Sequence, residues 1–397
     1  MKKLAIIHII DNKKEIRGGF LASHNRAKYL LALKKYEIDL FLIKPYRLNI
    51  VTRLIGKEKK EINTHFSFDG LTYKIILLNS TIIDYLLRRI GKPQFIKNQQ
   101  LKKIAKSFSK YDLLSVHSIE SGYIALISNR LFGIPYTVTW HGSDIHTNPF
   151  LSKVVYHTTQ SVLESASMNF FVSETLFKDS KKIAKKASGI VLYNGVDKNQ
   201  FYPFPDNQRL TAQKKYGINH FAHNVLFIGD FQTNKNIQCL AEVLAIIMKK
   251  IPDVELYVAG YTMEEKHLVP KIAASFKKYN ITAHFLGQIL STEMPSVINC
   301  MNLCILPSYN EGLPLISVES LACNVPFVGS RVGGIAEVVG EENTIPHNTN
   351  FIPDLASLCI KILLNPTHVE LKSQFDWKTS SKTESQIYAK ILGNTNS

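Results

Sequence analysis

The sequence predicts an α/β protein with two domains built on parallel sheets, and three observations carry the prediction. First, residues 303–329 read as strand, loop, helix, strand. Leu303 to Leu306 is a short apolar run, and the polar loop after it holds Glu311 and Gly312. Pro314 is pre-set for a first helical position, and Leu315, Val318, Leu321 and Ala322 recur at helical spacing. Pro326 to Val328 then runs into Gly329. Second, short apolar runs alternate with helical patterns along the whole chain, the signature of parallel sheets with helical crossovers. Third, 397 residues are more than one hydrophobic core usually serves.

Composition narrows the class. The chain is 45% hydrophobic and 20% charged, which is globular and not disordered. No run of 18 apolar residues occurs, so no membrane-spanning helix is expected. The apolar start, Leu4 to Ile10, is interrupted by His8 and ends at Asp11 without a small-residue cleavage site. It reads as a buried first strand and not as a signal peptide. Five cysteines without close-paired spacing argue against a disulfide framework or zinc site and for a reducing, cytoplasmic setting. Residues 1–200 hold 32 Lys and Arg against 15 Asp and Glu, and the remainder holds 16 against 17. The basic first half should seek an anionic partner.

The elements follow in order. Residues 4–10 form a strand, Gly18-Gly19 a turn, and Leu21 to Leu33 a helix. Strands are expected at Ile38–Ile43 and Tyr73–Leu78, on either side of a polar, Lys-rich excursion over 47–70 with Lys57, Lys59 and Lys60. An apolar stretch from Ile82 to Ile90 closes in basic residues up to Lys97, and Lys102 to Lys106 form a basic helix. This region suits an anionic membrane surface, with a core-facing helix and solvated rim as the plain alternative. A strand at Tyr136–Trp140 ends in His141-Gly142-Ser143-Asp144, where a parallel sheet keeps its ligands. A capped turn is the plain alternative there. His8, His117, His146 and His157 lack comparable context and read as structural. Asn194-Gly195-Val196-Asp197 with Pro203 and Pro205 marks a linker. Val225–Gly229 opens a second sheet, followed by Asp230 and Lys235. Further strands fall at Glu255–Gly260 and His284–Gly287, and helices at 263–278, 353–364 and from Trp377 to about Leu392.

Glu311 and Glu319 are separated by seven residues. Glu319 would lie roughly 8 Å along the helix axis from Pro314. Between the two carboxylates stand the free amides of a helix N-terminus, which attract anions. The layout suits a ligand with hydroxyls at both ends and phosphates in the middle.

Glu311-Gly312-Leu313-Pro314 with Glu319 resembles the signature of the retaining glycosyltransferases of family GT4, and His141-Gly142-Ser143-Asp144 resembles their first-domain histidine turn. The resemblance covers nearly the whole chain. It implies the GT-B fold, two Rossmann-like domains with parallel sheets facing across a cleft. The expected division is 1–203, a basic acceptor-side domain; 204–376, a nucleotide-sugar-binding domain; and 377–397, a helix returning to the first domain. It implies transfer of a sugar, with retention, from a UDP- or GDP-sugar to a saccharide or lipid-linked acceptor, in bacterial surface polysaccharide or envelope glycan synthesis. His141 and Glu311 would orient the sugar and stabilise its developing charge. Glu319 would hold the ribose, and the His284–Gly287 strand end would border the base. Gly19, Lys235, Gly312, Leu313, Pro314 and Leu315 would surround the donor phosphates and sugar. No Asp-x-Asp pair occurs, so no metal is expected. The chain departs from the family at Asp230, where an arginine usually meets the diphosphate. That departure leaves a noncatalytic scaffold as the alternative from another class. A glycoside hydrolase would place its two carboxylates across the scissile bond, which a helix-borne Glu319 suits poorly. A nucleotide-sugar epimerase of the same fold would carry different motifs. Nucleic-acid binding lacks a basic-aromatic motif. The expected location is cytoplasmic, with peripheral contact to the anionic inner membrane surface.

Overall fold

A computed structural model describes residues 1–9, 18–47, 63–80, 95–366 and 370–393. The chain divides into two compact units. One comprises 1–172, 176–192 and 380–397; the other comprises 173–175 and 193–379. The changeovers fall at Leu192/Tyr193 and Thr379/Ser380, against the 203/204 and 376/377 expected from sequence.

The first unit is an eight-stranded sheet. Its strands are β1 (Lys3–Ile9), β2 (Glu37–Arg47), β3 (His65–Phe68), β4 (Leu71–Ser80), β5 (Leu113–His117), β6 (Tyr136–Trp140), β7 (Met168–Phe171) and β8 (Gly189–Val191), in the spatial order β3-β4-β2-β1-β5-β6-β7-β8. Every pairing is parallel except β3 with β4. Central strands of such a sheet are covered on both faces, which explains why Leu4 to Ile7 are at most 1% exposed. The hairpin strand β3 was not foreseen in the polar excursion. Among the described residues it pairs only with β4, and its residues alternate between exposed and half-buried. Helix α1 (Gly18–Ala32) packs Phe20, Ala27 and Leu30 against Leu4, Ile6 and Leu42. Helix α2 (Phe95–Ser107) leads into β5, and α3 (Ser118–Phe132) leads out of it. Lys57, Lys59, Lys60 and the stretch from Ile82 to Lys92 lie outside the described residues.

The last helix, here α4 (Trp377–Ile391), joins this core through polar contacts. Glu384 is fully buried and 3.3 Å from the guanidinium of Arg26, itself 1% exposed. Arg26 also donates to the carbonyl of Leu192. The Tyr388 hydroxyl hydrogen-bonds to both Ser115 and Glu384.

The second unit is a six-stranded sheet, all parallel. It contains β9 (His223–Ile228), β10 (Val254–Ala259), β11 (Ala283–Gly287), β12 (Leu303–Leu306), β13 (Phe327–Ser330) and β14 (Thr344–Ile345), in the order β11-β10-β9-β12-β13-β14. Chain order reverses between β9 and β12, so their carboxyl ends form the crevice where doubly wound sheets bind ligands. The corresponding reversal in the first unit lies between β1 and β5. Residues 263–278 are not one helix. A 3-10 segment, Met263–Leu268, precedes the α-helix Val269–Lys277, because Pro270 has no N–H to donate back into the preceding turn.

Candidate active site

In the second unit, the loops after β9 and β12 are tied together. The amide of Tyr309 donates to the carbonyl of Asn234 at 2.8 Å, and Asn234 Nδ2 donates to the carbonyl of Asn310 at 2.8 Å. Asn236 sits in the left-handed region (φ 50°), which turns the chain after Lys235. These constraints bring Lys235 Nζ to 2.7 Å from Glu311 Oε1, with side chains 23% and 10% exposed. The Glu311 loop is also pressed from below. A Cβ at Gly333 (φ 54°) would lie 2.1 Å from the carbonyl oxygen of Glu311, and Gly334 N donates to Gly312 O at 2.6 Å. Only glycine fits at 333.

The helix after this loop spans Leu315–Ala322, with Pro314 one residue before it at the cap. Pro314 has no N–H to offer. The N–H groups of Gly312, Leu313 and Leu315 have no acceptor among the described residues. They are available to an anion. Glu319 lies on this helix, and its carboxylate has no hydrogen-bond partner among the described residues. Burial pushes its pKa up to about 7, although part of its surface remains accessible. A desolvated, unpartnered and reachable carboxylate suits a ligand that brings hydroxyl donors.

Asp230, the departure from the family pattern, accepts hydrogen bonds from Gln232 N at 3.2 Å and Gln232 Nε2 at 2.9 Å. Its negative charge is thereby held in a local turn. His284, on the strand expected to border a base, is taken up by Glu255 at 2.9 Å and stacks on Tyr257.

In the first unit, His141 follows β6 directly. Asp144 closes the turn by accepting from His141 N and Gly142 N, and burial raises its carboxyl to about 6. His8 and His117, read from sequence as structural, are brought beside His141. His117 Nδ1 lies 2.9 Å from His141 Nε2, and His8 stacks on His117 with centroids 4.5 Å apart. Burial is the main cause that depresses all three, His8 and His141 to about 3 and His117 well below its usual value. The imidazoles are neutral at working pH, so one ring of the His117–His141 pair donates and the other accepts. The missed signal was positional. His8 lies late in β1 and His117 ends β5, and strand adjacency collects them beside the end of β6. Gly19 stands at the start of α1, where a Cβ would meet nothing within 4 Å.

The model for "Glycosyl transferases group 1" matches residues 222–365, and that for "Glycosyltransferase Family 4" matches residues 49–200. A Bacillus subtilis glycosyltransferase named for teichuronic acid biosynthesis is 26% identical over 58% of this chain and 56% of its own length. The N-acetyl-alpha-D-glucosaminyl L-malate synthase of Bacillus anthracis is 25% identical over 74% of this chain and 78% of its own. Among solved structures, the Anabaena protein HepE in complex with UDP-glucose superposes with a TM-score of 0.68 at 16% identity, covering 98% of both chains. Two parallel-sheet units of the GT-B type, each with its carboxyl-edge cluster and each matched by a glycosyltransferase model, place this chain among the group 1, family 4 glycosyltransferases.

Proposed function

We propose that the chain transfers a sugar from a UDP- or GDP-sugar, with retention at the anomeric carbon, to a saccharide or lipid-linked acceptor in surface polysaccharide or envelope glycan synthesis. The observation that carries this reading is the crevice between β9 and β12. There the Lys235–Glu311 pair and three open amides stand on adjacent loops and a helix start, and that helix carries Glu319, without a hydrogen-bond partner among the described residues. Lys235 and the amides of Gly312, Leu313 and Leu315 meet the diphosphate and stabilise the charge that develops as the sugar leaves. Glu319 accepts from ribose hydroxyls. Glu311 orients the sugar and supports its oxocarbenium character, and His141 is assigned the same role. Phosphate charge is met by these groups, with no metal called for. The reason to weigh a noncatalytic scaffold was Asp230, and Gln232 engages it. The teichuronic acid relative and the basic first half support an acceptor presented at an anionic inner membrane surface. Proton NMR of the product tests retention: the transferred sugar should keep the donor's anomeric configuration, and inversion would overturn the reading.

Glu319 also predicts a pH dependence. Its raised pKa means the free fold holds a proton that the unfolded chain releases, so its contribution to stability falls as pH rises from about 4.5 to about 7. Hydroxyl donors need the ionised carboxylate. Affinity for an intact nucleotide sugar, whose diphosphate stays ionised throughout, should therefore rise between pH 6 and pH 8, with proton release on binding. Calorimetry in two buffers of different ionisation heat reads both effects. A flat affinity with no proton release would remove Glu319 from the ribose.

A further inference from the structure

We propose that the first unit carries a separate site for the phosphate headgroup and adjoining acyl chain of an anionic lipid, on the sheet face that bears α2. A groove of about 470 Å³ opens there between β2, β4 and the end of α2. Its lining includes Phe41, Ile76, Tyr111, Lys74, Lys103 and Lys110. The floor is fixed: Phe41 packs edge-on against Phe108 and Tyr111, with centroids 5.1 and 5.8 Å away. The rim is cationic. Lys74 stands 5.7 Å over the Phe41 ring and is anchored by Asp39 at 2.7 Å, and Tyr111 donates its hydroxyl to the other Asp39 oxygen. Asp39 is therefore already engaged by both. Lys103 and Lys110 are exposed and have no carboxylate partner among the described residues, and Lys102 and Lys106 extend the positive face along α2.

An apolar floor under a lysine rim fits an amphiphile with an anionic head. A nucleic acid would use the rim and leave the floor empty. The groove is also distinct from the reacting end of the sheet. The two lie on opposite faces: Phe41 packs on Phe108 and Tyr111 under α2, whereas His8 packs on Phe20 of α1 and on Tyr73. The inference stands whether or not the acceptor is lipid-linked, and nucleotide-sugar titration reads the second unit separately.

The test is co-sedimentation of the full chain with phosphatidylcholine vesicles, with or without phosphatidylglycerol. Each lysine near an anionic surface contributes about a five-fold change in partitioning. The Lys103→Ala/Lys110→Ala double variant should therefore partition roughly 25-fold more weakly to phosphatidylglycerol vesicles. The Lys185→Ala/Lys186→Ala variant, with the same loss of charge elsewhere on the unit, should stay near wild type. The charge-neutral Ile76→Ser should also weaken binding, and circular dichroism checks that each variant is folded. Equal loss in the two lysine doubles would overturn the site in favour of diffuse charge. So would equal competition by inorganic phosphate, preference for duplex DNA, or no partitioning to anionic vesicles.

Discussion

Lys235→Ala should lower kcat by about 10²–10³ while leaving the fold intact, since removing one preorganised donor from a developing anion typically has that effect. Lys235 is held by geometry that a surface lysine lacks. The backbone on either side is tied to the β12 loop at Asn234 and turned at Asn236, and Nζ rests 2.7 Å from Glu311. The ammonium is thus in place before any diphosphate arrives, and little reorganisation is needed as the leaving group charges. Truncation also leaves Glu311, only 10% exposed, without its counter-charge. Lys235→Arg should recover only part of the rate, because a planar fork does not reproduce a point charge at this spacing. Nucleotide release in a coupled assay reads kcat. A value within threefold of wild type would separate Lys235 from the leaving group.

Glu384→Ala should destabilise the first unit by about 3–5 kcal/mol, the usual result of leaving one buried charge without its partner. Arg26 is 1% exposed, and removing Glu384 takes away its only carboxylate among the described residues. Tyr388, fully buried, would lose its short hydrogen bond in the same step. For a unit of this size the thermal midpoint should drop by roughly 6–20 °C, followed by circular dichroism. Replacing the pair together, Arg26→Met with Glu384→Leu, should recover much of the loss, since no charge is then stranded. A single variant as stable as wild type would contradict the pairing of the Arg26 charge with Glu384.

Sequence made most of the two sheets legible, because parallel strands buried on both faces are continuous apolar runs. Leu303–Leu306 and Tyr136–Trp140 are found where their hydrophobicity places them. The positions of Lys235 after β9, and of Glu311 and Glu319 on the loop and helix after β12, were legible because those segments carry local spacing. Features that depend on distant neighbours were not. The His8–His117–His141 contact arises from strand order, which no local spacing encodes. The burial of Glu384 depends on Arg26, 358 residues away in the chain. The hydrogen bonds from Gln232 to Asp230 are local, yet they depend on a turn that the propensities of neighbouring residues do not specify.

The most direct test of the donor site is a calorimetric titration of UDP- and GDP-sugars into the wild-type chain and into Glu319→Ala. One nucleotide class should bind the wild type, and the variant should bind it about 10²–10³ times more weakly, the loss of hydrogen bonds to a charged acceptor. Unchanged affinity in the variant, or no binding of any nucleotide sugar to the wild type, would contradict the assignment of the β9–β12 crevice as the donor site.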